Sequence, residues 1–177
     1  MRELRETILR QGQCVGDSIV KVDMFLNHRL DTRLMFAMGR ELADYFGKDK
    51  PDIVLTVEAS GIALALAAAH FLDDIPVVFA KKSPAANQSA DMLTAVAHSF
   101  THGNDNALRV DRRYLPAGSR VLVVDDVIST GGSLKALDAL AEKTQCTIVG
   151  QAAVLAEGDA AERKDIIFLE PLPLFFH

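Results

Sequence analysis

Apolar residues recur along this chain with two different periods. Residues 2–11 carry Leu4, Ile8 and Leu9 on one stripe, which predicts an amphipathic helix. Residues 13–30 are short and mixed, with alternation at Ile19, Val20 and Val22. Asp31 is a capping residue type, and after it Leu34, Met35, Met38 and Leu42 recur at helical spacing to about Tyr45. Then the period changes. The run Ile53-Val-Leu-Thr-Val57, β-branched and bounded by Pro51 and Glu58, reads as a buried strand. Glu58-Ala-Ser60-Gly61 reads as a turn, and Ile62 to Ala69 as a buried helix too short to span a bilayer. Pro76–Ala80 predicts a second buried strand, Arg120–Asp125 a third and Thr147–Leu155 a fourth, with a fifth candidate at Ile166–Leu169. Gly131-Gly132 opens a helix to about Lys143. Residues 83–92 are polar and loop-like, and residues 93–100 and 106–112 suit the two strands of a hairpin.

Strand–turn–helix units in series imply an α/β fold with a parallel sheet covered on both faces. Ligands of such sheets bind at the carboxyl ends of the strands. Three polar features fall at those ends: Glu58-Ala-Ser-Gly61, Lys81-Lys82 and Asp125 to Ser133.

Composition narrows the chemistry. A length of 177 residues suits one domain, and 49% hydrophobic with 24% charged residues is an ordinary globular mix. The net charge of -5 argues against a general nucleic-acid binder. It leaves room for a small phosphorylated ligand held by local N–H groups and lysines. Cys14 and Cys146 lack CxxC spacing and read as free thiols of a reducing compartment. Residues 1–10 are charged and carry no apolar signal region, so a cytoplasmic protein without membrane attachment is expected.

Ser129-Thr-Gly-Gly-Ser133 follows a strand and precedes a helix. Its glycines permit a sharp turn and close ligand approach. Free N–H groups at the helix start and three hydroxyls complete a cradle for a phosphate monoester. The lysine of a nucleotide-triphosphate loop and the GxGxxG spacing are both absent. Asp125-Asp126 stands directly before the cradle. Two adjacent carboxylates become sensible there if a ribose on the cradled phosphate brings its hydroxyls, and a Mg2+ ion offsets their charge.

The segment Val121-Leu-Val-Val-Asp-Asp-Val-Ile-Ser-Thr-Gly-Gly-Ser133 closely resembles the phosphoribosyl pyrophosphate (PRPP) signature of type I phosphoribosyltransferases. The resemblance implies a Rossmann-like core of about residues 33–165 and a small hood of residues 1–32 plus the C-terminal tail. It also implies a flexible loop over 83–108 that closes on the site, all within one domain. It assigns PRPP phosphate to Ser129, Thr130, Gly131, Gly132 and Ser133, and pyrophosphate to Ala59, Ser60, Gly61, Lys81 and Lys82. Asp125, Asp126 and Glu58 take the catalytic roles, with Mg2+ held at Asp125 and Asp126 mainly through ribose hydroxyls or water. Val20-Lys-Val-Asp-Met-Phe25-Leu-Asn27-His28 is similar to the hood of bacterial xanthine phosphoribosyltransferases, which implies that Val20, Phe25, Asn27 and Val127 meet a purine. The implied partners are PRPP, a purine base, pyrophosphate as product and a second copy of the chain.

Two positions depart from that pattern. Xanthine enzymes carry a Glu-Lys pair after the last core strand, and here Glu157-Gly158 lacks the lysine. Adenine therefore stands beside xanthine as the base. Ser129 replaces the loop aspartate of hypoxanthine-guanine enzymes, which leaves Glu58, a loop residue or water to handle the purine proton. The apolar ending from Ile166 could wall the base. A PRPP-sensing regulator without catalysis and an unrelated phosphosugar binder are the competing classes.

Overall fold

The computed structural model describes residues 1–15, 19–83, 91–98 and 105–172. Helix α1 spans Arg2–Gln11, and the short strands β1 (Gln13–Val15) and β2 (Ile19–Lys21) pair antiparallel behind it. The alternation at Ile19, Val20 and Val22 thus marks a small two-stranded ribbon. A π-helical turn, Asp23–Asn27, leads into helix α2 (Thr32–Phe46). Asp31 caps α2 as its residue type predicts, with Oδ1 accepting from Leu34 N–H at 3.1 Å.

The core is one parallel sheet. Strands β3 (Ile53–Val57), β4 (Val77–Ala80), β7 (Arg120–Ile128), β8 (Thr147–Ala156) and β9 (Ile167–Pro171) lie in the order β4-β3-β7-β8-β9. Helices α3 (Gly61–His70) and α4 (Gly132–Lys143) are the crossovers. A separate antiparallel hairpin, β5 (Met92–His98) and β6 (Asp105–Asp111), stands where the sequence suggested one.

Strand alternation sorts the core into two layers. Val54, Leu122, Val124, Ala152 and Val154 pack with α1, α2 and α3. Leu55, Val57, Val121, Val123 and Ala153 pack with α4 and the hairpin. The period of two decides which layer each residue joins, and near-continuous apolar strands follow from burial on both faces.

Two expectations need correction. Pro76–Ala80 was expected to be a buried strand, but β4 begins at Val77 and is the sheet edge, with Phe79 exposed. Within the sheet it pairs only with β3. Strand β7 does not stop at Asp125: Val127 and Ile128 still pair with Leu155 and Ala156 of β8. The apolar ending is described to Leu172, and Ile166, Leu169 and Leu172 are buried core residues. Residues 173–177, the flexible-loop positions 84–90 and 99–104, and the Cys14 side chain lie outside the described residues. Cys146 is a free thiol. Among the described residues no helix is long and apolar enough to cross a membrane.

Candidate active site

Strand β7 continues through both aspartates, but its alternation breaks there: Val124 and Val127 pack with the layer of α1, α2 and α3, and Ile128 packs with the layer of α4. The two carboxylates stay close enough for the charge of Asp126 to act on Asp125. Asp125 lines a cavity of about 140 Å³ together with Val127, Ile128 and the whole run Ser129 to Ser133. Asp126 turns toward the hood, where Asn27 Nδ2 donates weakly to its Oδ2 at 3.5 Å.

The cradle has the geometry its sequence suggests. Gly131 adopts a left-handed φ of 77°, and α4 starts at the next residue, so its first residues Gly132 and Ser133 line the cavity. A Cβ on Gly131 would approach Arg163 Nη1 to 2.5 Å, so the bare Cα lets a guanidinium press against the loop. Arg163 is held there by Asp165, which receives its Nε at 3.0 Å and its Nη2 at 2.5 Å.

Burial pushes the Asp125 carboxyl up to about 8, and the neighbouring Asp126 charge acts in the same direction. Asp126 N–H donates to Asp125 Oδ1 at 3.0 Å and opposes the rise. In the free protein Asp125 is thus largely protonated at neutral pH. It becomes a full acceptor when a cation or a set of hydroxyls favours its charged form.

Among the residues expected to meet pyrophosphate and Glu58 beside them, Lys82 lines the cavity but Lys81, Glu58, Ala59, Ser60 and Gly61 do not. Glu58 Oε1 accepts from Lys82 N–H at 2.6 Å, and Glu58 N–H donates to Ala80 O. The carboxylate thereby ties the turn after β3 to the end of β4. The Glu58–Ala59 peptide is cis. Lys81 exchanges both backbone hydrogen bonds with Arg109 of β6, and Arg109 Nη1 donates to Lys82 O at 3.0 Å. These bonds fasten the hairpin to the basic pair. They also carry Ala97, Asn106 and Leu108 into the cavity wall.

In the hood, Asn27 is exposed while Val20 is buried and Phe25 has no exposed surface. Phe25 supports the hood from within the core layer of α1 and α2. Its ring therefore reaches a base only if the hood rearranges. Gly158 has φ 56° and open space around its Cα. Among the described residues no atom lies within 4 Å of a Cβ built there. Arg163, Arg109 and Asn106 went unnoticed in the sequence because single polar residues in alternating segments carry no local signal.

Among the described residues no cluster of three or more His, Cys, Asp or Glu side chains forms a metal cage. Two carboxylates at a strand end suit a Mg2+ ion that takes most of its oxygen ligands from substrate and water.

A family profile, the Phosphoribosyl transferase domain, matches residues 26–172. The chain belongs to the phosphoribosyltransferase family. Within this family it is 42% identical over 176 residues to the xanthine phosphoribosyltransferase of Heliobacterium modesticaldum, spanning 97% of this chain and 93% of that one. It is 38% identical over 158 residues to the enzyme of the same name from Clostridioides difficile, spanning 89% and 83%. The phosphoribosyltransferase fold is also seen in solved structures. The adenine phosphoribosyltransferase of Thermoanaerobacter pseudethanolicus superposes with a TM-score of 0.73 at 20% identity, covering 94% of this chain and 98% of that one. The Saccharomyces cerevisiae adenine enzyme gives 0.72 at 21% identity, covering 99% and 100%.

Proposed function

We propose that this phosphoribosyltransferase joins a purine base, xanthine foremost, to the phosphoribosyl group of PRPP in purine salvage. The observation that carries the reading is the single cavity in which Asp125, Lys82 and the whole cradle Ser129–Ser133 converge. The names of its relatives at 38–42% identity support xanthine as the base.

The 5-phosphate of PRPP sits on the N–H groups and hydroxyls of Ser129, Thr130, Gly131, Gly132 and Ser133. The ribose then lies over Asp125 and Asp126, which accept from its 2- and 3-hydroxyls. The pyrophosphate extends toward Lys82 and the turn Ala59-Ser-Gly61. A purine nitrogen under the hood forms a bond to the anomeric carbon as the bond to pyrophosphate breaks; that bond's electron pair leaves with pyrophosphate, and the purine's ring proton passes to water, Glu58 or a loop residue. The two carboxylates stabilise positive charge on the ring at that moment, and Lys82 meets the negative charge on the leaving group. Mg2+ would be held by Asp125 and Asp126 through ribose hydroxyls and water, and it supplies charge neutralisation for pyrophosphate. Holding the reactants in line supplies much of the rate. Asn27 presents an amide able to donate and accept at the base edge. Val127 offers an apolar surface beside it.

The reading includes a homodimer. Its support is an apolar groove between α2 and α3, lined by Leu30, Met35, Phe36, Ala63 and Leu66, where Leu30, Phe36 and Leu66 are exposed.

One panel tests the base: xanthine, adenine, hypoxanthine, guanine and uracil, each with PRPP and Mg2+. Xanthosine monophosphate is the expected main product. Adenosine monophosphate as main product would assign the open space at Gly158 to adenine. PRPP binding without any nucleotide formed would identify a regulator. Combining Asp125→Asn with Asp126→Asn abolishes turnover and leaves the protein folded by circular dichroism. Near-normal activity of that pair would refute the assignment.

A further inference from the structure

Thr56, next to last in β3, has no exposed surface. Its Oγ1 is the buried side-chain polar atom without a hydrogen-bond partner among the described residues. A buried hydroxyl left without a bond destabilises the fold, and valine offers the same branched shape without that cost. Valine already stands at positions 54 and 57 of the same strand. The hydroxyl therefore calls for a reason in what surrounds it.

It faces the first residue of α3. A Cβ on Gly61 would overlap Thr56 Oγ1 and would lie 3.4 Å from Asp125 Oδ1. The bare Cα of Gly61 thus lets a hydroxyl from β3 and a carboxylate from its neighbour β7 converge at the carboxyl end of the sheet. Asp125 Oδ1 takes Asp126 N–H, and a carboxylate has room for several further donors.

We propose that Thr56 is a positioning residue for Asp125: its hydroxyl donates to that carboxylate and holds it against the ribose of PRPP. The inference rests on the function proposed above. In the free protein the hydroxyl is uncommitted. Ligand binding turns the carboxylate onto it, and the resulting O–H···O⁻ bond is charge-assisted and therefore short and strong. The fold tolerates an idle hydroxyl because it is used in the bound state.

Opposite signs for stability and function test this. Thr56→Val is expected to raise the Tm of the ligand-free protein by about 2–4 °C. It should also weaken calorimetric binding of PRPP with Mg2+, and lower kcat/KM for PRPP, by about tenfold. Thr56→Ser restores both to near wild type. Thr56→Ala, which loses the hydroxyl without refilling the space, weakens binding to the same degree and stands in should the valine variant fail to fold. Thr144→Val is the control: its hydroxyl is satisfied by Ala141 O at 2.8 Å, so it lowers Tm and leaves PRPP binding unchanged. In an Asp125→Asn background, Thr56→Val weakens binding no further. Wild-type PRPP affinity in Thr56→Val, or losses that simply add with Asp125→Asn, overturns the inference while the function stands. A wild-type protein that neither binds PRPP nor forms nucleotide overturns both.

Discussion

At the scale of single residues, Asp125 is where position most changes chemistry. The unfolded chain loses its Asp125 proton near 3.8, whereas the folded protein keeps it to about 8. Between those values the folded state binds the extra proton. The contribution of this group to stability is therefore greatest below 3.8 and is lost as pH rises toward about 8. Within that window the slope from this group approaches about 1.4 kcal/mol per pH unit. Denaturant titrations at pH 5 and pH 8 should show the wild type losing stability across the interval and Asp125→Asn losing less. Equal slopes for the two proteins would place the proton elsewhere. Asp126 shows how little separation is needed for a different role. It is adjacent in sequence, yet the strand turns it toward Asn27 and the hood.

At the scale of elements, the cradle depends on the β7–α4 junction. Gly131 sits at φ 77° against Arg163 Nη1. An alanine there costs about 1–2 kcal/mol in backbone conformation alone and must also displace the guanidinium. Gly131→Ala is expected to raise KM for PRPP about tenfold or more, with a smaller effect on KM for the base. Steady-state kinetics with each substrate varied in turn would show this, and an unchanged KM for PRPP would remove the loop from the phosphate site. The β5–β6 hairpin is the second element that matters. Its bonds from Arg109 to Lys81 and Lys82 attach it to the end of β4, so any motion of the hairpin is felt by the basic pair.

At the scale of the whole molecule, parallel topology brings the turns after β3, β4 and β7 to one end of the sheet. The turns after β4 and β7 thereby meet at one cavity through Lys82 and Ser129–Ser133, and Gly61 at the start of α3 lies beside Asp125. The other face of α3 carries the apolar groove with exposed Phe36 and Leu66. If the proposed homodimer forms through this groove, Leu66→Glu is expected to shift it to monomer in sedimentation velocity, because a charge in a buried interface opposes association. A dimer of undiminished stability would move the interface to another surface.

What was legible in the chain was local. Apolar periods marked α2, β3, α3, β7, α4 and β8, because burial on two faces demands continuous apolar strands and one-sided burial demands helical spacing. The Val121-to-Ser133 segment was legible for the same reason: strand, carboxylates, turn and helix start are neighbours in sequence, and a motif of thirteen residues is specific. The resemblance carried the family. Tertiary structure alone decided the rest. The pairing of Val127 and Ile128 with β8 extended β7 through Asp125 and Asp126. The strand order left β4 at an edge. Long-range packing placed Arg163 on Gly131 and Thr56 beneath Gly61, and it buried Phe25 inside the hood. Arg163 and Gly131 lie 32 positions apart, and Thr56 and Gly61, though near in sequence, meet Asp125 only because β3 lies beside β7, an arrangement no local pattern contains.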